Sequence, residues 1–419
     1  MKNTCIFRLG IAAAAALAVL WPPAARAFQI KNPAGEVIGS FDTTVTLGGS
    51  WRAQGRDPAL IGIANGGTSR SPNEDDGDLN YGRDKLFSNP LRVTHELELK
   101  QGSAGVFARG TYFYDFAYSE QPVSAVAGFG PRGHDRLARD AQLLDLFVYG
   151  EFGGGGRRLN ARLGQQVVSW GESTFIPNGI NVINPLDLAR LRSPGAELRE
   201  ALLPQPMLWA SQQLGDRLAV EAFYQFKHRR IVLDPRGSYF STNDFVSDDG
   251  DRAFIGFGRR NDQHGPTGLF ALGGSAWAPR SLDRGPGDSD QWGGALRLLV
   301  PELNNTEFGF YFVNYHSRAP LISGVRGAVS VAPGSALGLP TCGAGSTLIN
   351  VNVLFGFNPL GQAPCVPTAV PLVAGNYFVE YPRNIRLYGA SFNTSGPAGI
   401  ALQGEYSYRP NQPLQLAAT

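Results

Sequence analysis

The charged residues that could act together are concentrated in one stretch. Between Trp170 and Leu203 stand Glu172, Asp187, Arg190, Arg192, Glu197, Arg199 and Glu200. Outside it, Arg92, Glu96, Glu98, Arg109, Asp115, Arg162 and Gln166 fall on the polar side of alternating segments. Charges of both signs facing each other across a wet passage select and steer solutes. The same charges can instead pin a segment in place by ion pairs and select nothing, and the residue types alone favour neither reading.

Other chemistry is weakly represented. Asp75, Asp76 and Asp78 form a carboxylate cluster, as do Asp248-Asp-Gly-Asp251 and Asp288-Ser-Asp290. Hard oxygen ligands at this density suit Ca²⁺. None completes the EF-hand spacing, so they read first as solvated acidic turns and only second as a metal site. Of the five histidines, His95 and His316 fall in alternating segments, each on the apolar side. A histidine base needs a nucleophile within hydrogen-bond reach. Ser50 and Ser407 lie on the polar side, and there is no G-x-S-x-G elbow. No dinucleotide, P-loop, zinc or haem motif appears. The chain is therefore read as a non-enzyme without a cofactor.

The elements that would position these charges are strands. Phe41 to Arg52 alternates strictly, with Phe41, Val45, Leu47 and Trp51 on one side and Asp42, Thr44, Thr46 and Arg52 on the other. The same period recurs at 91–100, 106–118, 143–152, 159–168, 207–214, 218–227, 291–300, 307–316, 385–392 and 399–409. That makes eleven segments of about ten residues, the length a tilted strand needs to cross a bilayer. Trp51, Phe116, Tyr118, Phe152, Trp292, Tyr406 and Tyr408 end the apolar side, as interfacial girdles do. The expected fold is all-β: a transmembrane antiparallel β-barrel with a short helical insert in its lumen, spanning residues 28–419. A soluble sandwich also alternates, but with its polar side outward. An even strand count is the rule for such barrels. Eleven strands and a C-terminus ending Pro413-Leu-Gln-Leu-Ala-Ala-Thr419 point to a C-terminally truncated chain, or to strands concealed at Phe254–Arg259 and Leu348–Phe355.

The insert, residues 168–206, breaks the alternation. Asn184-Pro185 and Ser193-Pro194 each place a capping side chain before a helix-starting proline. Two short helices are predicted, Pro185 to Arg192 and Pro194 to Leu203. Connections alternate between short turns and long loops, the longest at 228–290 and 317–377, as on the two sides of an outer membrane.

Residues 1–27 read as a signal peptide: Lys2 and Arg8, an apolar run from Leu9 to Leu20, and Ala25-Arg26-Ala27. Without Lys2, Arg8 and Arg26 the 37 basic residues fall to 34, against 35 acidic ones. That balance gives no reason to expect nucleic acid as a partner. Abundant Gly (53) and Phe (25) beside only two Met suits strands and turns rather than helical packing. Cys342 and Cys365, both in the last long loop, are an even pair in an exported chain. They are expected to form a disulfide, with two free thiols as the alternative.

Arg162-Leu-Gly-Gln-Gln-Val-Val-Ser-Trp-Gly-Glu-Ser-Thr-Phe175, Asn178-Gly-Ile-Asn181, Asn184-Pro-Leu-Asp187 and Ser193-Pro-Gly-Ala-Glu-Leu-Arg-Glu-Ala-Leu-Leu-Pro204 resemble the family called domain of unknown function 1302. Phe41-Asp-Thr-Thr-Val-Thr46, Arg109-Gly-Thr-Tyr-Phe-Tyr-Asp115 and Phe240-Ser-Thr-Asn-Asp-Phe245 fit it too. The resemblance implies a Gram-negative outer-membrane barrel in contact with outer-membrane lipid. More loosely, it implies work beside a resistance-nodulation-division exporter and a periplasmic lipoprotein-like partner in moving hydrophobic compounds. Together these readings predict a channel or passive transporter for small hydrophobic or amphipathic molecules, constricted by Trp170–Leu203. The alternative is a surface interaction protein whose long loops bind a partner and whose barrel only anchors them.

Overall fold

The computed structural model describes residues 28–33, 36–120, 130–173, 179–254, 258, 277–333, 369–396 and 399–415, with backbone alone at 326–333 and 369–374. Eighteen strands run in chain order: β1 (Phe28–Lys31), β2 (Val37–Leu47), β3 (Ser50–Trp51), β4 (Leu86–Ser88), β5 (Pro90–Gln101), β6 (Ala104–Asp115), β7 (Arg139–Gly154), β8 (Arg157–Gln166) and β9 (Gln205–Gln213) come first. They are followed by β10 (Leu218–Gln225), β11 (Arg252–Phe254), β12 (Trp277–Pro279), β13 (Gln291–Val300), β14 (Thr306–Tyr315), β15 (Leu321–Pro333), β16 (Ala369–Glu380), β17 (Ile385–Ser395) and β18 (Ala401–Tyr408). Twelve of them form one antiparallel meander, β1-β2-β5-β6-β7-β8-β9-β10-β13-β14-β17-β18. Its edges, β1 and β18, are not paired with each other among the described residues. The other six form three two-stranded pairs, β3-β4, β11-β12 and β15-β16.

Every segment expected from alternation lies in this sheet. The count is twelve rather than eleven, because β1 pairs along β2, Phe28 opposite Phe41. Four residues are too few to display a period, so β1 left no mark in the sequence. Several segments end inside the expected bounds, and two of them are cut off by a local feature. The first breaks at Gly48-Gly49, and Trp51 pairs instead with Leu86. The 106–118 segment ends at Asp115, which accepts the backbone N–H groups of Ala117 and Tyr118 and starts a helical turn. Tyr118 is consequently buried rather than part of an outward girdle. The candidate strand Leu348–Phe355 lies outside the described residues, as do the leader 1–27 and both Cys342 and Cys365. Of Phe254–Arg259, only Phe254 lies in a described strand.

The two sides of the sheet differ in the direction the alternation requires. On one side Leu91, Val45, Leu163, Leu208, Tyr224, Trp292, Phe310 and Tyr388 are exposed. On the other, Arg92, Thr94, Arg109, Thr111, Asp145, Gln166, Gln225 and Ser391 are buried. Apolar side chains thus face out; the inner side is polar and charged along β5 to β8, and mixed along β9, β10, β14 and β17, where Met207, Phe223, Val313, Ile385 and Leu387 are buried. No described helix is long and apolar enough to cross a membrane, which says nothing of strands.

Connections alternate in length. β5-β6, β7-β8, β9-β10, β13-β14 and β17-β18 are joined by two to five residues at one end of the sheet. The long connections, including residues 167–204, leave from the other end. Both stretches expected as the longest loops carry strands. In particular β15 and β16 pair from Leu321↔Glu380 to Pro333↔Ala369, beyond the main sheet.

Candidate functional site

Residues 167–173 and 179–204, which follow β8 at the long-loop end, lie against the inner face. The exit is a tight turn. Gly171 has φ +83, and a Cβ there would lie 2.5 Å from Glu405 Oε2, so glycine meets both the backbone and the space requirement. Beyond it, Trp170, Ile180 and Ile183 are fully buried with Met207, Phe223, Tyr311, Val313, Ile385 and Leu387 of β9, β10, β14 and β17. The Trp170 ring meets Phe223 edge-on at 5.0 Å, and its Nε1–H donates to Glu221 Oε2 at 2.9 Å. An indole is rarely buried this fully without such a partner.

Carboxylates and amides of the wall hold the turn's backbone. Glu405 on β18 accepts three N–H groups, those of Glu172 at 2.8 Å, Ser173 at 3.0 Å and Ile180 at 3.0 Å. Arg409 donates to the carbonyl of Gly179. Asn393 donates to Glu172 Oε2 at 3.2 Å. Gln225 and Arg318 both donate to the carbonyl of Ile183, at 2.8 and 3.1 Å.

The other half of the insert bonds to the opposite part of the sheet. Arg92 on β5 pairs with Glu200 at 2.8 Å and donates to Ser193 Oγ at 3.0 Å. Thr94 donates to the second Glu200 oxygen at 2.7 Å. Arg109 on β6 pairs with Asp145 at 2.5 Å and donates to the carbonyl of Arg199 at 3.0 Å. Arg199 itself pairs with Glu96 at 2.7 Å and with Glu197 at 2.5 Å. Gly195, at φ +75, packs its Cα side against Thr46 of β2, where a Cβ would lie 2.4 Å from a methyl carbon. One short segment therefore touches β2, β5 and β6 on one flank and β14, β17 and β18 on the other. The sheet is wrapped around it.

The helices inside the insert are single turns, Leu188–Leu191 and Leu198–Ala201, not the longer pair expected. The proposed caps are used otherwise. Asn184 accepts the N–H of Val168 and donates to the carbonyls of Gln166 and Leu203, stitching the two ends of the insert together. Ser193 serves Arg92. Asp187 caps the first turn instead, accepting the N–H of Arg190 at 2.9 Å. A side chain that tertiary structure engages is not free to cap, so neither turn begins where the Asn-Pro and Ser-Pro pairs would place it.

Of the other expected residues, Arg190 pairs with Asp140 at 3.3 Å and Arg192 with Asp234. Gln166 donates to the carbonyl of Met207. Three do not contact the insert in the described contacts. Asp115 accepts from Ser88 Oγ at 2.7 Å and caps its own turn. Glu98 accepts from Tyr149. Arg162 lies over the Trp209 ring at 4.7 Å. Residues missed at the sequence level are Glu221, Glu405, Asp140, Asp234, Arg318 and Arg409. Alternation puts Glu221 and Glu405 on the polar side, but nothing in a linear pattern assigns Trp170 to Glu221 or, to Glu405, partners more than two hundred residues away.

Burial shapes the charge states around the insert. It pushes the Asp187 carboxyl up, against the Arg190 N–H and guanidinium, and the Arg190 guanidinium down. Asp234 is pushed up to about 6 by burial, opposed by Arg192. Arg318, buried, is pushed down to about 10 by loss of solvation. His228, half-buried and beside Arg318, falls to about 4 through loss of solvation.

The carboxylate cluster differs from the one expected. Asp75 and Asp76 come together with Asp244, their oxygens within 4.8 Å, while Asp78 pairs with Arg52 at 2.6 Å. Asp76 is also paired with Arg236 at 2.7 Å, and Asp75 accepts from Gly62 and Asn65, so protein groups already serve this cluster. His316 is not on the outward face. The strand ends at Tyr315, alternation ends with it, and His316 is buried between Ser289 O at 2.7 Å and the N–H of Asn384 at 3.1 Å. His95 does lie outward, bonded to Thr43 and stacked on Phe41.

Fold and site together define a class: a large antiparallel meander with an apolar exterior, wrapped around an inner segment bolted on by charge. The chain belongs to the family described as "Protein of unknown function (DUF1302)", whose sequence profile matches residues 8–419. No curated protein and no solved structure matches it.

Proposed function

We propose that the chain is an outer-membrane β-barrel acting as a channel or passive transporter for small hydrophobic or amphipathic molecules, with residues 168–206 as its constriction. The observation that carries this reading is the inverted sheet. A continuous apolar surface over twelve strands has no favourable place in water but suits lipid, while the charged face suits a wet interior. An even strand count leaves β1 and β18 running in opposite directions, as antiparallel closure needs. Closure would also satisfy the edge N–H and C=O groups, which lipid cannot do. The insert enters from the long-loop end, so in this reading it narrows the passage from the outside face. No nucleotide or redox motif supplies energy, which suits passive movement.

The test is single-channel conductance of residues 28–419 in planar bilayers, beside a variant in which 167–204 is replaced by Asn-Gly. Gln166 and Gln205 are paired in register, so a two-residue hairpin turn can join them. Small or flickering currents that grow in the variant are expected. Silence from both proteins, with strand content and strand-dependent gel mobility intact, would overturn the channel reading and leave an anchor for the loops.

A further inference from the structure

On the long-loop side of the insert lies a cavity of about 520 Å³, within the range of small-molecule sites. Its walls are of two kinds. Val232, Leu233, Val246 and Tyr381 supply an apolar surface. Arg132, Arg136, Arg230 and Arg280 supply four guanidiniums. Their carboxylate partners are fewer. Arg132 pairs with Asp249 at 3.0 Å and Arg136 with Asp248 at 3.0 Å. Arg230 and Arg280 share the single carboxylate of Asp283, both at 2.9 Å. Four cations against three anions leave one positive charge in excess. A guanidinium carries five donors in a planar fork, so Arg132, Arg136 and Arg230 retain N–H groups for another anion, whereas Arg280 also donates to the carbonyls of Phe245, Ser247 and Gly250. The side chains of Arg132 and Arg230 are more than half exposed, which keeps those groups within reach of a solute.

The cavity is also joined to the insert. Val232 donates to the carbonyl of Leu186 and accepts the N–H of Leu188, both at 2.9 Å. Two residues on, Asp234 pairs with Arg192. The cavity wall and the insert thus share a backbone seam.

We propose that this cavity binds an amphipathic anion, its apolar chain along Val232, Leu233, Val246 and Tyr381 and its carboxylate, sulfonate or phosphate among Arg132, Arg136 and Arg230. A neutral apolar solute would leave the charge excess unanswered, and a bare anion would leave the apolar wall unfilled. That the bound anion is the solute on its way through rests on the channel reading; the binding site does not.

The experiment is isothermal titration of residues 28–419 in nanodiscs of zwitterionic lipid, with empty nanodiscs as the blank. The probes are octanoate, octanol and inorganic phosphate. Saturable octanoate binding is expected, at least tenfold tighter than octanol or phosphate. The variant Arg132→Gln with Arg136→Gln should weaken octanoate at least tenfold. Asp248→Asn, which releases Arg136, should tighten it severalfold, so the site is tested by variants of opposite sign. Octanoate no tighter than octanol or phosphate, or wild-type affinity in both variants, would overturn the proposal. A protein that conducts without binding octanoate loses this site and keeps the channel; one that binds without conducting keeps the site and loses the channel.

Discussion

The pair formed by Arg92 and Glu200 is the most enclosed ion pair between wall and insert among the described residues, with side chains 4 % and 5 % exposed. Both oxygens of Glu200 are used, one by Arg92 and one by Thr94. Breaking such a pair on one side strands a buried charge, which costs about 3–5 kcal/mol, whereas replacing both partners by apolar groups of similar size costs far less. Glu200→Ala and Arg92→Ala are each expected to lose stability of that order, and Arg92→Met with Glu200→Leu much less. Urea unfolding midpoints of the lipid-embedded proteins check this. Single variants within about 0.5 kcal/mol of wild type would mean the pair is solvated. Residue types and parity made Arg92 legible as an inward charge. Its partner was one of several acidic residues in the insert, and proximity alone chose Glu200.

At the scale of the element, the insert is held by two different means. Its first part is anchored by burial of Trp170, Ile180 and Ile183 and by Glu405, its second by ion pairs. Loss of three charge-assisted hydrogen bonds, each contributing about 1.5–3 kcal/mol, should free the first turn while the apolar anchors still hold. Glu405→Ala is therefore expected to raise the rate of cleavage at Glu172 by a glutamate-specific protease about tenfold or more, read by mass spectrometry of the fragments. An unchanged rate would assign the anchoring to the apolar contacts alone. The strands of the sheet were legible because a period of two repeats over ten residues. The insert was legible only as an interruption, since its turns are fixed by partners on five or more strands rather than by local propensity.

For the whole molecule the question is what covers the outer face. Trp292 lies on it, 46 % exposed, while Trp170 is fully enclosed. In vesicles of acyl-brominated lipid, a variant retaining Trp292 as its single tryptophan should be strongly quenched, and one retaining Trp170 should not. Equal and weak quenching of both would remove the outer face from the acyl region and with it the barrel reading. The pattern of short and long connections, readable in the sequence as turn clusters, sorts onto the two ends of the sheet because antiparallel neighbours exchange ends at every strand.

By itself the sequence determined the all-β character, the position of eleven of the twelve sheet strands, which side of each is polar, and where the alternation is interrupted. These follow from backbone geometry, which converts a period of two directly into two faces. Only the tertiary structure decided that β1 completes the meander, that Asp187 rather than Asn184 or Ser193 caps the insert, and that Glu405 and Arg92 grip it from opposite flanks. It also brought four arginines from three separated segments around one cavity with an apolar wall. Such choices depend on which groups meet across the fold. Burial and pairing energies set by long-range contact overrule local preference there.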